Sequence, residues 1–405
     1  MKNISTVLIG LSSYGAGYAR LLIEQGPLHN ARLVGIVDPY AEKNPYWPTV
    51  KEQNIPRYDN LSEFIAHHQA ELAVIASPTY LHCPQTCDAL QAGLAVLCEK
   101  PIAGSIQDVH RMIAARDEAG KFAAIGYNWS FCEGIQALKH DVMTGLFGRA
   151  LRLKTIVLWP RSLTYYHRNN WAGKLRMPGN EWVLDRPVNN ATAHYLHNMF
   201  YILGSAPDKS AMPSEVVAEL YRANDIKNYD TACLRTKTRD GADILFVTSH
   251  AVDRTSPIRC EFVFERATVQ YEEKSCLRAV FNDGRLKEYI IPGAEQGSAK
   301  LWQCCDAVRG RGRPVCGLEA AMSQTICMNG AQDSAPAIIS FPPEMLQRRK
   351  DEQGDEYIMA TGLTEALQAC YASWQLPSEC GIAWSKAGRR IDLSAYAWYP
   401  GGQRP

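Results

Sequence analysis

The chain has 405 residues, 46% hydrophobic and 21% charged, with 43 basic against 42 acidic side chains. That length holds two domains with ample cores, and a net charge of +1 leaves no electrostatic footprint for nucleic acid or an anionic membrane. No apolar run reaches the ~18 residues that would suggest a bilayer span, and Met1 to Gly10 lacks a secretory pattern, so a cytoplasmic protein is expected. Thirteen cysteines are scattered, often in apolar segments. Neither Cys83 and Cys87 nor the adjacent Cys304 and Cys305 form a zinc or CxxC redox pattern, which favours reduced, buried thiols.

The first 130 residues or so alternate strand and helix. Val7-Leu8-Ile9 reads as a strand, Tyr14 to Glu24 as a helix, and Leu33 to Val37 as a second strand. A helix over Leu61 to His68, a strand over Leu72 to Ala76 and a helix from about Pro84 to Ala92 follow. The strand Ala95 to Cys98, a helix near Ile106 to Ala119 and a strand at Ala123 to Gly126 complete the pattern. Such alternation predicts a parallel, doubly wound sheet over residues 1–128. Right-handed crossovers put the loops after its strands on one ligand crevice.

Those loops carry the chemistry. Gly10-Leu11-Ser12-Ser13-Tyr14-Gly15 is a G-x-S-x-x-G turn between the first strand and the first helix, with Ser12 where a glycine is usual. It suits a pyrophosphate at a helix N-terminus or, alternatively, a plain structural turn. Asp38 ends the second strand 23 residues after Gly15, close to the spacing of an acid that binds a ribose 2′-hydroxyl. A turn-forming Asp-Pro competes with that reading. A carboxylate there repels a 2′-phosphate and no arginine follows closely in sequence, so NAD is favoured over NADP. Ser77-Pro78-Thr79 and His82 follow another strand end, where the histidine is either a cofactor contact or a structural hydrogen bonder. Glu99-Lys100-Pro101 follows the strand over residues 95–98, and the proline aims the lysine rather than leaving it loose.

After about residue 150, segments near 151–158, 215–221, 231–237, 244–251, 259–265, 268–272 and 288–291 read as strands. Arg239-Asp240-Gly241 and Asn282-Asp283-Gly284 are hairpin turn signals, so the sheet is mostly antiparallel. Tyr165 to Trp171 and Trp182 to Arg186 are aromatic and charged loops, where Trp171, Asp185 and Arg186 suit carbohydrate recognition. An aromatic cover over the sheet is the competing reading. A helix near 190–203 places Asn190, His194, His197 and Tyr201 on one polar stripe, opposite Leu196, Met199, Phe200 and Leu203. No carboxylate shares the stripe, so a metal site is not expected. Helices at about 297–309, 318–332 and 357–374 and an aromatic tail follow, dividing the remainder into a domain over 129–340 and an extension over 341–405.

The ordered set Gly10…Gly15, Asp38, Ser77-Pro78-Thr79…His82, Glu99-Lys100-Pro101, Gly126-Tyr127-Asn128 and the helix bearing His194 resembles the Gfo/Idh/MocA oxidoreductases over about residues 5–335. The resemblance implies a Rossmann domain followed by an open, largely antiparallel sheet that carries the substrate side and often an oligomer interface, hence a homo-oligomer. It implies that Lys100 hydrogen-bonds the reacting hydroxyl, that His194 is the general base, and that Glu99 and Asn128 lie with the cofactor. Where the family usually has aspartates before and after the histidine, this chain has Asn190 and His197. Asparagine cannot accept a proton, so an aspartate–histidine relay is absent, although Asn190 can still position a hydroxyl. The expected activity is NAD-dependent oxidation of a hydroxyl on a sugar, cyclitol or sugar derivative. The alternatives are glycoside cleavage through transient oxidation by bound NAD, and a non-catalytic NAD or sugar sensor.

Overall fold

The computed structural model describes residues 2–12, 14–272, 276–291 and 297–401. Ser13, expected in the phosphate turn, lies outside the described residues. The chain divides into two compact units, Met1–Cys132 with Gly293–Met322, and Glu133–Pro292 with Ser323–Pro405. These limits differ from those read from the sequence, because the segment from 293 to 322 groups with the first unit and the extension with the second.

The first unit begins with β1 (Ile4–Ile9), α1 (Tyr14–Glu24), β2 (Ala31–Val37), α2 (Trp47–Glu52), β3 (Arg57–Tyr58) and α3 (Leu61–His67). It continues with β4 (Leu72–Ile75), α4 (Thr79–Gln91), β5 (Ala95–Cys98), α5 (Ile106–Ala119) and β6 (Ala123–Ile125). The six strands pair in the order β3-β2-β1-β4-β5-β6, all parallel, as strand–helix alternation predicts. Every residue of β4 and β5 is buried, as expected of central strands covered on both faces. α4 starts five residues earlier than the sequence suggests and contains Pro84. Buried His82 and Cys83 before the proline, and Thr86, Ala89 and Leu90 after it, hold the helix together through packing.

The chain then forms the second unit with α6 (Glu133–Met143), β7 (Ala150–Leu158), α7 (Leu163–His167), α8 (Ala193–Ile202), β8 (Pro213–Arg222), β9 (Thr231–Thr238) and β10 (Asp243–Ser249). β11 (Arg259–Phe264), β12 (Ala267–Glu272), β13 (Cys276–Phe281) and β14 (Leu286–Ile290) follow, before α9 (Ala299–Val308) and α10 (Leu318–Ser334). α9 and the start of α10 complete the first unit: Arg309 donates to the His29 and Asn30 carbonyls at 2.7 and 2.6 Å, and Trp302 stacks on His29.

The last elements are β15 (Ile339–Ser340), β16 (Leu346–Lys350), β17 (Glu356–Ala360), α11 (Leu363–Ser373) and β18 (Ile391–Asp392). The second unit is built on a ten-stranded sheet of path β14-β13-β12-β11-β7-β10-β9-β8-β15, with β18 also on β8. It is antiparallel except where β7 pairs with β10 and β8 with β15. The helix read over 357–374 is instead β17 followed by α11. Ile358 and Ala360 point inward between half-buried Tyr357 and Met359, a two-residue period, and Gly362 at φ 74° begins the helix. No helix of the described residues is long and apolar enough to cross a membrane.

Candidate active site

The glycine turn is built for close approach. Gly10 has φ 89°, and a Cβ on it would meet the Ala76 carbonyl and Ser77 nitrogen at 3.0 Å. A Cβ on Gly15 would lie 2.0 Å from the Gly10 oxygen, so α1 can start against the turn only with glycine there. Ser12 sits in the turn, and its carbonyl accepts from the Gly15 N–H. Asp38, just beyond β2, accepts from the Leu11 N–H through Oδ2 and the Tyr40 N–H through Oδ1, both at 2.8 Å. It therefore clamps the glycine turn to the strand edge while its oxygens retain lone pairs for a hydroxyl. An arginine distant in sequence also reaches this edge. β3 brings Arg57 to the Asp38 carbonyl at 3.3 Å, where it also pairs with Asp59 at 2.6 Å. Parallel pairing of β2 with β3 closes the 19-residue gap between Asp38 and Arg57.

Two further loops leave the same sheet edge. Ser77 bonds Gln85, Pro78 caps α4, and Thr79 is its first residue. His82 is buried with Nδ1 2.7 Å from the Pro101 carbonyl and Nε2 2.9 Å from the Ser77 carbonyl. It braces the loop after β4 to the loop after β5. Burial lowers its pKa despite both carbonyls, and a neutral ring donates to only one of them.

Glu99 is also buried. Its Oε1 accepts from the Tyr18 hydroxyl at 2.7 Å and from Lys300 of α9, while Oε2 accepts from the Lys100 N–H at 3.2 Å. Burial raises the Glu99 pKa, and the Lys300 ammonium and the Tyr18 hydroxyl more than reverse it, leaving the carboxyl below its ordinary value. Lys300 is wholly buried, donates also to the Gly126 carbonyl at 3.2 Å, and sits 4.7 Å from the Tyr14 ring centre. Asn128 donates to the Tyr14 hydroxyl at 3.1 Å. Lys100 is half-buried with its backbone fixed by Glu99. Sequence reading missed Lys300, which has no motif around it.

In the second unit, Asp185 is buried and accepts from the Gly173 N–H at 2.8 Å, from the Asn190 amide at 2.9 Å and from Arg168 at 3.5 Å. Asn190 thus precedes α8 as a donor to Asp185, and half-buried His194 lies in the first turn of the helix. Trp171 is half-buried with Arg168 over its ring at 5.1 Å. Arg186 is buried and donates to Gln332 at 3.1 Å.

The expected polar stripe on α8 is corrected. His197 and Tyr201 are fully buried and their rings stack at 5.6 Å, with the Lys139 ammonium of α6 3.6 Å from the Tyr201 ring centre. Gln136 donates to the Tyr201 hydroxyl at 2.6 Å. α6 therefore covers the His197–Tyr201 part of the stripe, which lies in the core of the second unit, while Asn190 and His194 stay half-buried. Burial, with Lys139 adding to it, takes its pKa down to about 3. Among the described residues no group of three or more His, Cys, Asp or Glu is placed to hold a metal ion.

A 3-2-1-4-5-6 parallel sheet, a glycine turn that a Cβ would fill and an acid at the end of β2 define a dinucleotide-binding domain. Residues 4–127 match the model of the Gfo/Idh/MocA oxidoreductase family, described as an NAD-binding Rossmann fold, so this segment is similar to that family's NAD-binding domain. It is 26% identical over 224 residues to 2,7-anhydro-N-acetylneuraminate hydratase of Mediterraneibacter gnavus, an alignment covering 54% of each chain. It is 25% identical over 200 residues to inositol 2-dehydrogenase of Burkholderia ambifaria, covering 49% of this chain and 53% of that one. The chain thus spans about half the length of the curated relatives it matches. The WlbA dehydrogenase from Bordetella pertussis, solved with NADH and UDP-GlcNAcA, is 24% identical with a TM-score of 0.65 over 82% of this chain and 97% of that one. That likeness shows a shared fold.

Proposed function

We propose that the protein is an NAD-dependent oxidoreductase acting on a hydroxyl of a sugar, cyclitol or sugar derivative. The observation that carries this reading is the Glu99-Lys100-Pro101 loop, held at the carboxyl end of β5 by His82 on one side and Lys300 on the other. Gly10, Ser12, Tyr14, Gly15, Asp38, the Ser77–Thr79 loop and Asn128 would hold the dinucleotide, and Ser13 joins them in the sequence motif. NAD supplies a hydride acceptor when bound. In this reading the His194 imidazole takes the hydroxyl proton, since imidazole as a class ionises near neutral pH. The Lys100 ammonium stabilises the negative charge that develops on the oxygen. Asn190 orients Asp185 and a substrate hydroxyl, with Trp171 and Arg186 in the same recognition region, and the open sheet of the second unit serves a homo-oligomer.

A second reading is favoured by one specific observation. Asn190 donates to Asp185 and cannot itself accept a proton, so the relay usual at that position is missing. Transient oxidation followed by elimination or hydration, without net redox, fits such a site, and a relative at 26% identity is named a hydratase. Purified protein with NAD and a panel of sugars separates the two. Stoichiometric NADH absorbance supports net oxidation, and cleaved or hydrated product without NADH supports the second reading. Undiminished turnover in Lys100→Ala would remove Lys100 from both.

A further inference from the structure

The second unit holds a cationic aromatic cluster that the reading above leaves unused. β7 and β10 are parallel neighbours, so both end on one edge of the sheet, with Leu158 beside Ser249. The chain leaving β7 supplies Trp159 and Arg161, and the chain leaving β10 supplies His250, whose carbonyl accepts from the Arg161 N–H at 3.1 Å. The Arg161 guanidinium sits 5.7 Å from the Trp159 ring centre and 5.2 Å from that of Tyr165. Trp159 meets Tyr195 edge-on at 5.8 Å, and Tyr195 is the neighbour of His194 in α8. The cluster therefore borders the start of the helix that bears His194.

The charges do not cancel locally. Among the described residues no acidic side chain forms an ion pair with Arg161, and its Nε is buried without a hydrogen-bond partner. Arg168 lies over the same Tyr165 ring at 3.8 Å, and its charge is shared with Asp185 at 3.5 Å. The other nearby acid, Asp230, accepts from the Ala223 and Asn224 N–H groups, the Asn224 amide and the Thr231 hydroxyl at 2.8 to 3.1 Å. His250 is neutral, its pKa pushed well down by burial and then by Arg161 and Arg168. One guanidinium is thus held by two rings, half-buried, always charged, and unmatched by an anion. Its planar fork fits a carboxylate in two parallel hydrogen bonds.

We propose that Arg161 anchors a carboxylate of the substrate, so that the compound acted on is a sugar acid rather than a neutral sugar. This rests on the reading of the protein as a sugar oxidoreductase. The test is calorimetric titration of the full chain, saturated with NAD, with glucuronate, galacturonate and N-acetylneuraminate and with the methyl ester of each. At least one acid is expected to bind at least about tenfold more tightly than its ester. Arg161→Met is expected to abolish that difference while leaving the NAD dissociation constant unchanged, and Arg161→Lys to restore part of it. Equal binding of acid and ester, no binding of any acid, or full acid preference in Arg161→Met would each overturn the proposal. If Arg161→Met does not fold, the acid–ester comparison on the unaltered protein decides. Acid binding without turnover would sink the oxidoreductase reading alone. Lys100-dependent oxidation of a neutral sugar with KM unchanged in Arg161→Met would sink this proposal alone.

Discussion

Replacing Lys300 by methionine tests whether the carboxyl end of β5 depends on a buried counter-charge. Methionine keeps most of the volume of the aliphatic stem and removes the ammonium. Glu99 would then stay buried with the Tyr18 hydroxyl and the Lys100 N–H as donors and no cation bonded to it. Removing one partner of a buried ion pair costs about 3–5 kcal/mol, and the two remaining bonds put the expectation at the lower end of that range. Urea denaturation at pH 7 measures the loss, and quenching of protein fluorescence by NAD reports whether the Lys100 loop still binds.

The pH dependence supplies a second readout. In the unaltered protein the folded Glu99 pKa is depressed, so its stabilisation is complete above the unfolded carboxyl value and is lost as pH falls through the folded one. In Lys300→Met, burial dominates and the folded pKa rises above the unfolded value. The deficit is then largest at neutral pH and shrinks as the pH is lowered and Glu99 takes up a proton. A stability loss under about 1 kcal/mol at pH 7, or one that does not narrow on acidification, would refute the reasoning. The double variant Glu99→Gln with Lys300→Met should recover part of the loss, because it leaves no buried charge.

Gly15→Ala, whose Cβ would lie 2.0 Å from the Gly10 oxygen, should abolish NAD binding in the same fluorescence assay, with destabilisation of about 2 kcal/mol or more. Asp38→Asn loses the charged acceptor for the Leu11 and Tyr40 N–H groups and should weaken NAD binding by about tenfold, with Arg57 left to favour NADP in the ratio of the two affinities. His197 stays neutral down to about pH 3, whereas the unfolded chain takes up a proton near the ordinary histidine value. Stability is therefore lost as pH falls through that window, and His197→Phe should flatten the fall in urea midpoint between pH 7 and 4. His194→Asn should cut turnover by about a hundredfold or more with little change in NAD affinity, as removal of a general base does.

The strands and turns of the Rossmann sheet were legible because their signals are local. Fully apolar four-residue strands, a glycine turn and an acid at a strand end each occupy one short stretch. What was not legible came from distant partners. Lys300 lies in Lys-Leu-Trp-Gln-Cys-Cys, which resembles any amphipathic helix, and the carboxylate it serves is 201 residues away. The stripe on α8 misled for a related reason. Spacing correctly puts His197 and Tyr201 on one face, but only the packing of α6 shows that Lys139 and Gln136 cover that face. Arg57 reaches Asp38 through strand pairing, and Arg161 meets His250 because β7 and β10 run parallel in a mostly antiparallel sheet.

The discontinuity of the first unit has a consequence for synthesis. Glu99 leaves the ribosome 201 residues before Lys300, an interval of about 10–40 s at ordinary elongation rates of ~5–20 residues per second. Throughout that interval the Rossmann sheet has its glycine turn and Asp38 but lacks the cation that settles Glu99 in its interior. The ion pair that settles Glu99 therefore forms only after the whole intervening second-unit segment, residues 133–292, has been made.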